Sequence, residues 1–298
     1  LLRNLVEENN ITNYIAWFYT PMMLDWSRWL SPKAVIYDCM DELSHFRNAP
    51  PELCSLEREL FERADLVFTG GQSLYEAKRV QHHSVYAFPS SIDTKHFSRA
   101  QEINEEFPDH AGIPHPRVGF VGVIDERLDI PLLAEIADKR PNISFVMVGP
   151  VVKISEDDLP RRNNIYYLGQ KAYEKLPAIL SGWDVAMMPF ALNNATKFIS
   201  PTKTPEYLAA GLPVVSTPIT DVVQPYGERS LVHIASTAEE FVRAIDQAHK
   251  QDSEERRSRV RSFLADMSWD KTYNSMSELI QQVVTASDDR KPLVAEAR

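Results

Sequence analysis

A chain of 298 residues has room for about two domains of ordinary size, and its 44% apolar and 25% charged residues are those of a globular protein. Thirty-two basic against forty-two acidic side chains leave a formal charge of −10, which argues against nucleic acid as a general partner and requires any anionic ligand to be held by a local cationic cluster. No run of about 18 apolar residues is present, so no helix of this sequence is built to span a membrane.

The chain opens directly on a helical pattern, Leu1-Leu-Arg-Asn-Leu-Val-Glu-Glu-Asn9, without an initiator Met or a signal peptide, which implies that an N-terminal portion lies outside it. Residues 13–20 form a strand-like run ended by Pro21, and residues 22–30 look helical. Residues 34–41 read as a buried strand with Asp38 and Asp41 at its carboxyl end. Carboxylates at such a rim suit a general base or a grip on a substrate hydroxyl, and equally a helix cap or a loop hydrogen bond. A helix at 51–64, a strand at 66–71, a helix at 72–80 and a strand at 84–88 complete the region. Short apolar strands alternating with helices predict a parallel sheet covered on both faces. Cys39 and Cys54 have no metal-ligand spacing and read as reduced core thiols of a cytoplasmic protein.

Residues 91–116 break this rhythm with charges, prolines and histidines, as a linker would. A second alternating series then begins, with strands at 118–124, 144–149, 164–169, 184–190, 214–215 and 231–234, helices at 131–139 and 172–181, and three helices at the end. The fold class expected is therefore α/β, with two Rossmann-like, doubly wound parallel-sheet domains in series and the first of them incomplete. The boundaries expected are 1–95 for the first domain, 96–116 for the linker, 117–268 for the second domain, and 269–298 for a C-terminal helix and tail that packs back toward the first. Ligands belong at the carboxyl ends of the strands and in the cleft between the domains.

Two stretches carry candidate chemistry. In Gly122-Val-Ile-Asp-Glu-Arg-Leu-Asp129, the glycines Gly119 and Gly122 permit close backbone approach, and Arg127 has the fork geometry for phosphate oxygens. A surface pair of Arg127 with Asp125 or Asp129 is the competing reading. It yields to the first if the sheet order brings Lys203 to the same place. No G-x-G-x-x-G fingerprint is present, which argues against a dehydrogenase. In Phe198-Ile-Ser-Pro-Thr-Lys-Thr-Pro-Glu-Tyr-Leu-Ala-Ala-Gly-Leu-Pro-Val-Val-Ser-Thr217, a polar loop turns into a short helix and then a buried strand. Ser200, Thr202 and Thr204 are placed to cap the first turn, Gly211 to stop the helix and Pro213 to start the strand. Lys203 suits a diphosphate and Glu206, one turn in, suits the diol of a ribose; a capped helix with a solvated charge pair is the plain alternative. The eight histidines show no metal-ligand spacing and read as structural or solvent-facing.

Taken together, the Gly-x-x-Gly turn with Arg127, Val148-Gly149, Tyr167-Leu168-Gly169, Trp183-Asp184-Val185, Pro189-Phe190 and the Ser-Pro-Thr-Lys-x-x-Glu-Tyr-Leu-Ala-Ala-Gly-x-Pro-Val-Val run resemble the donor-binding domain of GT-B glycosyltransferases. The closest likeness is to the large retaining group, the glycosyl transferases group 1, that makes bacterial cell-surface polysaccharides. The likeness covers residues from about 117 to 285. The first half resembles the later part of such an enzyme's acceptor domain, down to Phe88-Pro-Ser-Ser-Ile-Asp-Thr-Lys-His-Phe97.

This resemblance implies that Glu206 holds the ribose hydroxyls of a nucleotide sugar and that Arg127 and Lys203 neutralise the departing diphosphate. Gly122, Ser200 and Thr202 complete the donor site, and backbone groups around Tyr167-Leu168-Gly169 meet the base. It implies no metal and no cofactor beyond the nucleotide-diphosphate sugar, of UDP or GDP type, as co-substrate. The family's second, sugar-contacting glutamate would stand at Phe198 and its phosphate-binding lysine at Leu132, so neither is present. Where many members carry a His, Asp38 occupies the nearest position, as a base for inversion or as a holder of a donor or acceptor hydroxyl. The function expected is transfer of a sugar to a glycan, lipid-linked or small-molecule acceptor, with no nucleic acid involved. Peripheral association with the inner face of a membrane would come through the portion preceding Leu1. A nucleotide-sugar epimerase of the same fold, or a non-catalytic nucleotide-binding module of a polysaccharide assembly, are the alternatives.

Overall fold

The computed structural model describes residues 2–250 and 254–290. It divides into two compact units, one made of the chain up to Pro89 with the last helix from Asp270 onward, the other of Ser90–Trp269. The expected tail at 291–298 lies outside the described residues.

In the first unit, strands β1 (Ile15–Phe18), β2 (Ala34–Cys39), β3 (Leu66–Thr69) and β4 (Val85–Ala87) pair in chain order, all parallel. Every residue of β2 is buried, as a strand covered on both faces must be. Its alternate residues Ala34 and Ile36, with Leu66 and Phe68 of β3, meet Met276, Leu279, Ile280, Val283 and Val284 of the terminal helix Trp269–Arg290. On the other face, the Tyr37 hydroxyl donates to Glu57 of helix Leu53–Arg63 at 2.8 Å. Two local expectations need correction. Cys54 is not a core thiol: it lies exposed on that helix, whose buried stripe is Leu53, Leu56, Leu60 and Phe61. The helix expected at 22–30 is a tight turn, Pro21–Met23, followed by the single turn Leu24–Ser27, where Ser27 closes back onto the Met23 carbonyl.

In the second unit, β5 (Arg117–Val121), β6 (Ser144–Val148), β7 (Ile165–Tyr167), β8 (Val185–Met188), β9 (Val214–Ser216) and β10 (His233–Ile234) form one parallel sheet in the order β10-β9-β8-β5-β6-β7. The chain builds outward from β5 to β7, returns to the other side of β5 for β8, and builds outward again to β10. The order reverses between β5 and β8, and that reversal opens a crevice beyond their carboxyl ends. The stretch expected as a linker is folded into this unit: Phe97, Ala100 and Ile113 join its core, and helix Thr94–Ser98 is capped by Asp93. Its charges face outward while its sparse apolar residues anchor it. Among the described residues, no helix is long and apolar enough to cross a membrane.

Candidate functional site

The loop after β5 spans the crevice. Gly122 N–H donates to the Val148 carbonyl at the end of β6 (2.9 Å), and Ile124 N–H donates to Pro150. Further on, Asp129 N–H donates to the Pro189 carbonyl and Ala191 N–H to the Arg127 carbonyl, each at 2.8 Å, so the loop is stitched to the extension of β8. Arg127 therefore sits at the strand-order reversal. Its Nε lies 3.0 and 3.1 Å from the two oxygens of Asp125, and Nη2 lies 2.8 Å from one of them. Asp125 is 3% exposed, whereas 30% of the Arg127 side chain is open. The Arg127–Asp125 pair thus exists, but it is a buried brace that fixes the guanidinium rather than a solvated surface contact.

Glycine is needed where the neighbouring loops converge. Gly149 has φ +146°, and a side-chain carbon there would overlap the Gly122 carbonyl; Gly169, at φ +66°, accepts the Gly149 N–H at 2.9 Å. The ends of β5, β6 and β7 are packed backbone to backbone. Gly149→Ala is expected to destabilise the second unit by at least about 1–3 kcal/mol, read from its denaturation midpoint, and an unchanged midpoint would contradict this packing.

The second stretch enters through helix Lys203–Ala209. Fully buried Tyr207 receives the Val121 N–H at 2.7 Å and donates back to the Val121 carbonyl at 3.3 Å, fastening the helix to the end of β5. Lys203 and Glu206 are carried to the same crevice and meet each other, Nζ to Oε2, at 2.8 Å. With 24% and 13% of their side chains exposed, they form a sheltered pair, not a solvated one. Burial pushes the Glu206 carboxyl up, against the charge and hydrogen bond of Lys203 and the charge of His96. The capping expectation is corrected. Thr202, the residue at the cap, is already helical and its hydroxyl caps nothing, while Thr204 turns inward onto the Met188 sulfur. Ser200 and Thr202 are half-buried at the helix entrance. Gly211 ends the helix with φ +86°.

Asp38 belongs to the first unit. It lies inside β2, 8% exposed, and its Oδ2 accepts the Trp17 indole N–H at 3.2 Å. Burial raises its carboxyl above the ordinary range, and the indole hydrogen bond opposes the shift. Phe198 and Leu132 hold the positions where the family resemblance places a glutamate and a lysine; Leu132 is a core residue, and Lys197 lies 5.1 Å over the Phe198 ring. Among the described residues, no group of three or more His, Cys, Asp or Glu gathers with the spacing of a metal site.

Sequence reasoning named the Arg127–Asp125 pair only as a surface contact, not as a buried brace, and missed Tyr207 as the fastener of the helix. The Asp-x-Arg spacing gives the pair but not its burial; nothing in the sequence announces a hydrogen bond across 86 positions. It also missed His96, whose charge acts on Glu206 and whose ring stacks on Tyr173 with centroids 4.3 Å apart.

The doubly wound second unit thus brings a guanidinium, a lysine and a carboxylate to the end of the sheet where its strand order reverses. Residues 115–251 match the family Glycosyl transferases group 1. A Bacillus subtilis (strain 168) protein, whose name of teichuronic acid biosynthesis glycosyltransferase TuaH is itself provisional, is 27% identical over 247 residues. That match takes in 73% of this chain and 61% of the relative, so the chain spans less than two thirds of the relative's length. Among solved structures, sucrose-phosphate synthase from Thermosynechococcus elongatus superposes with a TM-score of 0.68 at 18% identity, over 91% of this chain and 74% of that one. Anabaena Alr3699/HepE, solved in complex with UDP, gives a TM-score of 0.70 at 14% identity, over 94% of this chain and 82% of that one. These likenesses show the two-domain GT-B fold.

Proposed function

We propose that this chain belongs to a glycosyltransferase that moves a sugar from a nucleotide-diphosphate donor to a glycan, lipid-linked or small-molecule acceptor. The observation that carries the reading is the arrival of Arg127, Lys203 and Glu206, from two separate loops, at the strand-order reversal of the second unit. The similarity to group 1 glycosyltransferases and to structures solved with UDP supports it. Glu206 would take the ribose hydroxyls, releasing Lys203 toward the diphosphate, with Arg127 on the same anion. Gly122 and Gly169, with Ser200 and Thr202 at the helix entrance, would line the donor. Fixed cations would stabilise the leaving group without a metal or further cofactor. Asp38, whose carboxyl is raised by burial, would serve as base or hold a hydroxyl of donor or acceptor. A cytoplasmic setting, at a membrane face where the acceptor is lipid-linked, belongs to the same proposal.

Calorimetry with UDP and GDP tests the centre of this reading. Glu206→Ala should weaken the nucleotide that binds by roughly 10- to 100-fold, the worth of charged hydrogen bonds to a diol. Unchanged affinity would remove Glu206 from the ribose. Donor conversion without any acceptor would point to an epimerase instead.

A further inference from the structure

His96 and Tyr173 are 77 positions apart, and the donor reading above gives neither of them a role. His96 lies on helix Thr94–Ser98, and its backbone N–H is held by the capping carboxylate of Asp93 at 2.9 Å. Its Nε2 is 3.1 Å from the Tyr173 carbonyl, and since a carbonyl oxygen only accepts, Nε2 carries the proton. The two rings stack at 4.3 Å with an interplanar angle of 9°. Buried Phe97 meets Tyr173 at 89°, its centroid 5.7 Å away. Tyr173 is therefore held on one face and against one ring edge, yet it remains 48% exposed. A large aromatic fixed in place by three contacts and left open to solvent is unusual for a core residue and apt for a binding surface.

Its position adds direction. Tyr173 opens the turn Tyr173–Lys175 just after Gly169, beyond the carboxyl end of β7. Glu206 is within electrostatic reach of both rings: His96 lowers its carboxyl, and Glu206 in turn helps to raise the Tyr173 phenol, which burial raises most. A nucleotide has its ribose between the diphosphate and the base. If Glu206 grips the ribose and Lys203 faces the phosphates, the base must lie away from the lysine, where the chain presents this ring.

We propose that Tyr173 is the nucleoside-facing wall of the donor site, its open face packing against the planar base, and that His96 is a positioning residue holding the ring for that contact. The proposal rests on the nucleotide-sugar reading of Glu206. Because every base has a π-face, such a wall supplies affinity without choosing between uracil and guanine. Removing it should weaken both nucleotides alike.

The experiment titrates the chain with UDP and with GDP in calorimetry and follows the base protons of each by NMR. Tyr173→Leu should weaken binding by about 10-fold or more, and Tyr173→Phe should stay close to wild type. The base protons should move upfield by ring current on binding to wild type and to Tyr173→Phe, and not on binding to Tyr173→Leu. His96→Ala should lose part of the affinity, with His96→Phe, which keeps a flat ring on Tyr173, restoring it. Wild-type affinity for Tyr173→Leu, with Glu206→Ala still impaired, would overturn this proposal alone. Wild-type affinity for Glu206→Ala would overturn the nucleotide reading beneath it. Failure of His96→Phe to restore binding would overturn the role of His96. Because Tyr173 lies half outside the core, its variants are expected to unfold at the wild-type midpoint, which the same samples report.

Discussion

Replacing Lys78 by methionine is expected to cost the first unit about 3–5 kcal/mol, because it strands two sheltered carboxylates. Lys78 is 2% exposed, and its Nζ lies 2.7 Å from Glu42 and 2.8 Å from Glu57. Glu57 also accepts the Tyr37 hydroxyl, and Glu42 accepts from Ser44, so one ammonium ties β2, the loop beyond it and two helices together. Burial alone would raise the Glu42 carboxyl, but the hydrogen bonds from Lys78 and Ser44 and the lysine charge outweigh it and leave it lowered. Burial alone would lower the Lys78 ammonium, and the charge of Glu57 with the hydrogen bonds that the ammonium donates to both carboxylates turns the shift upward. The signs follow by linkage. The Glu42 contribution is present above the carboxylate's unfolded value and lost as pH falls through its depressed folded value. The Lys78 contribution is present below the ammonium's unfolded value and lost as pH rises through its raised folded value. Denaturant titrations of wild type and Lys78→Met at several pH values check this. A methionine variant as stable as wild type near neutrality would show that the carboxylates find other partners, and Lys78→Met with Glu42→Gln and Glu57→Gln should recover part of the loss.

How much of this could be read from the sequence depends on whether the physics was local. Segments such as Phe145-Val-Met-Val148 are buried on both faces and hence continuously apolar, so the strands of both sheets stood out, together with their parallel pairing. Lys203, Glu206, Gly211 and Pro213 were legible because their spacing reflects one helix turn and its stop. The strand order was not, since it depends on which edges of the sheet the crossovers reach, and with it went the answer to whether Arg127 and Lys203 share a crevice. Residues 96–116 were misread because surface charge dominates their composition, while the anchoring residues Phe97, Ala100 and Ile113 are too sparse to form a period. Ser200, Thr202 and Thr204 have the right chemistry for a cap, but a cap also needs a non-helical backbone, which Thr202 lacks. The aromatic contact of His96 lies across two loops and left no local mark.

Substitution of Arg127 or Lys203 is expected to lower turnover by about 10²- to 10³-fold, the loss seen when a preorganised donor to developing charge is removed, with a smaller effect on donor affinity. In the proposed transfer, charge accumulates on the leaving diphosphate as the glycosidic bond breaks, so a cation held in place before the reaction would act more strongly on the transition state than on the bound donor. The structure supplies that preorganisation for Arg127 through Asp125, which holds the fork by three contacts and is itself buried. Lys203 differs. It is partnered with Glu206 in the absence of donor, so part of its interaction with phosphate is offset by leaving the carboxylate, and its substitution should cost less turnover than that of Arg127. Arg127→Ala also takes the guanidinium from Asp125, leaving it the backbone N–H of residue 127, and a second variant separates the two effects. Asp125→Asn keeps the arginine and removes one negative charge from the site, so donor affinity should hold or rise while turnover falls because the fork is no longer fixed. Single-turnover rates and donor titrations on the same variants measure the split. Equal losses of turnover and affinity would mean that the two cations only bind the ground state, and a fall in donor affinity for Asp125→Asn would mean that Asp125 serves the fold of the loop rather than the aim of the guanidinium.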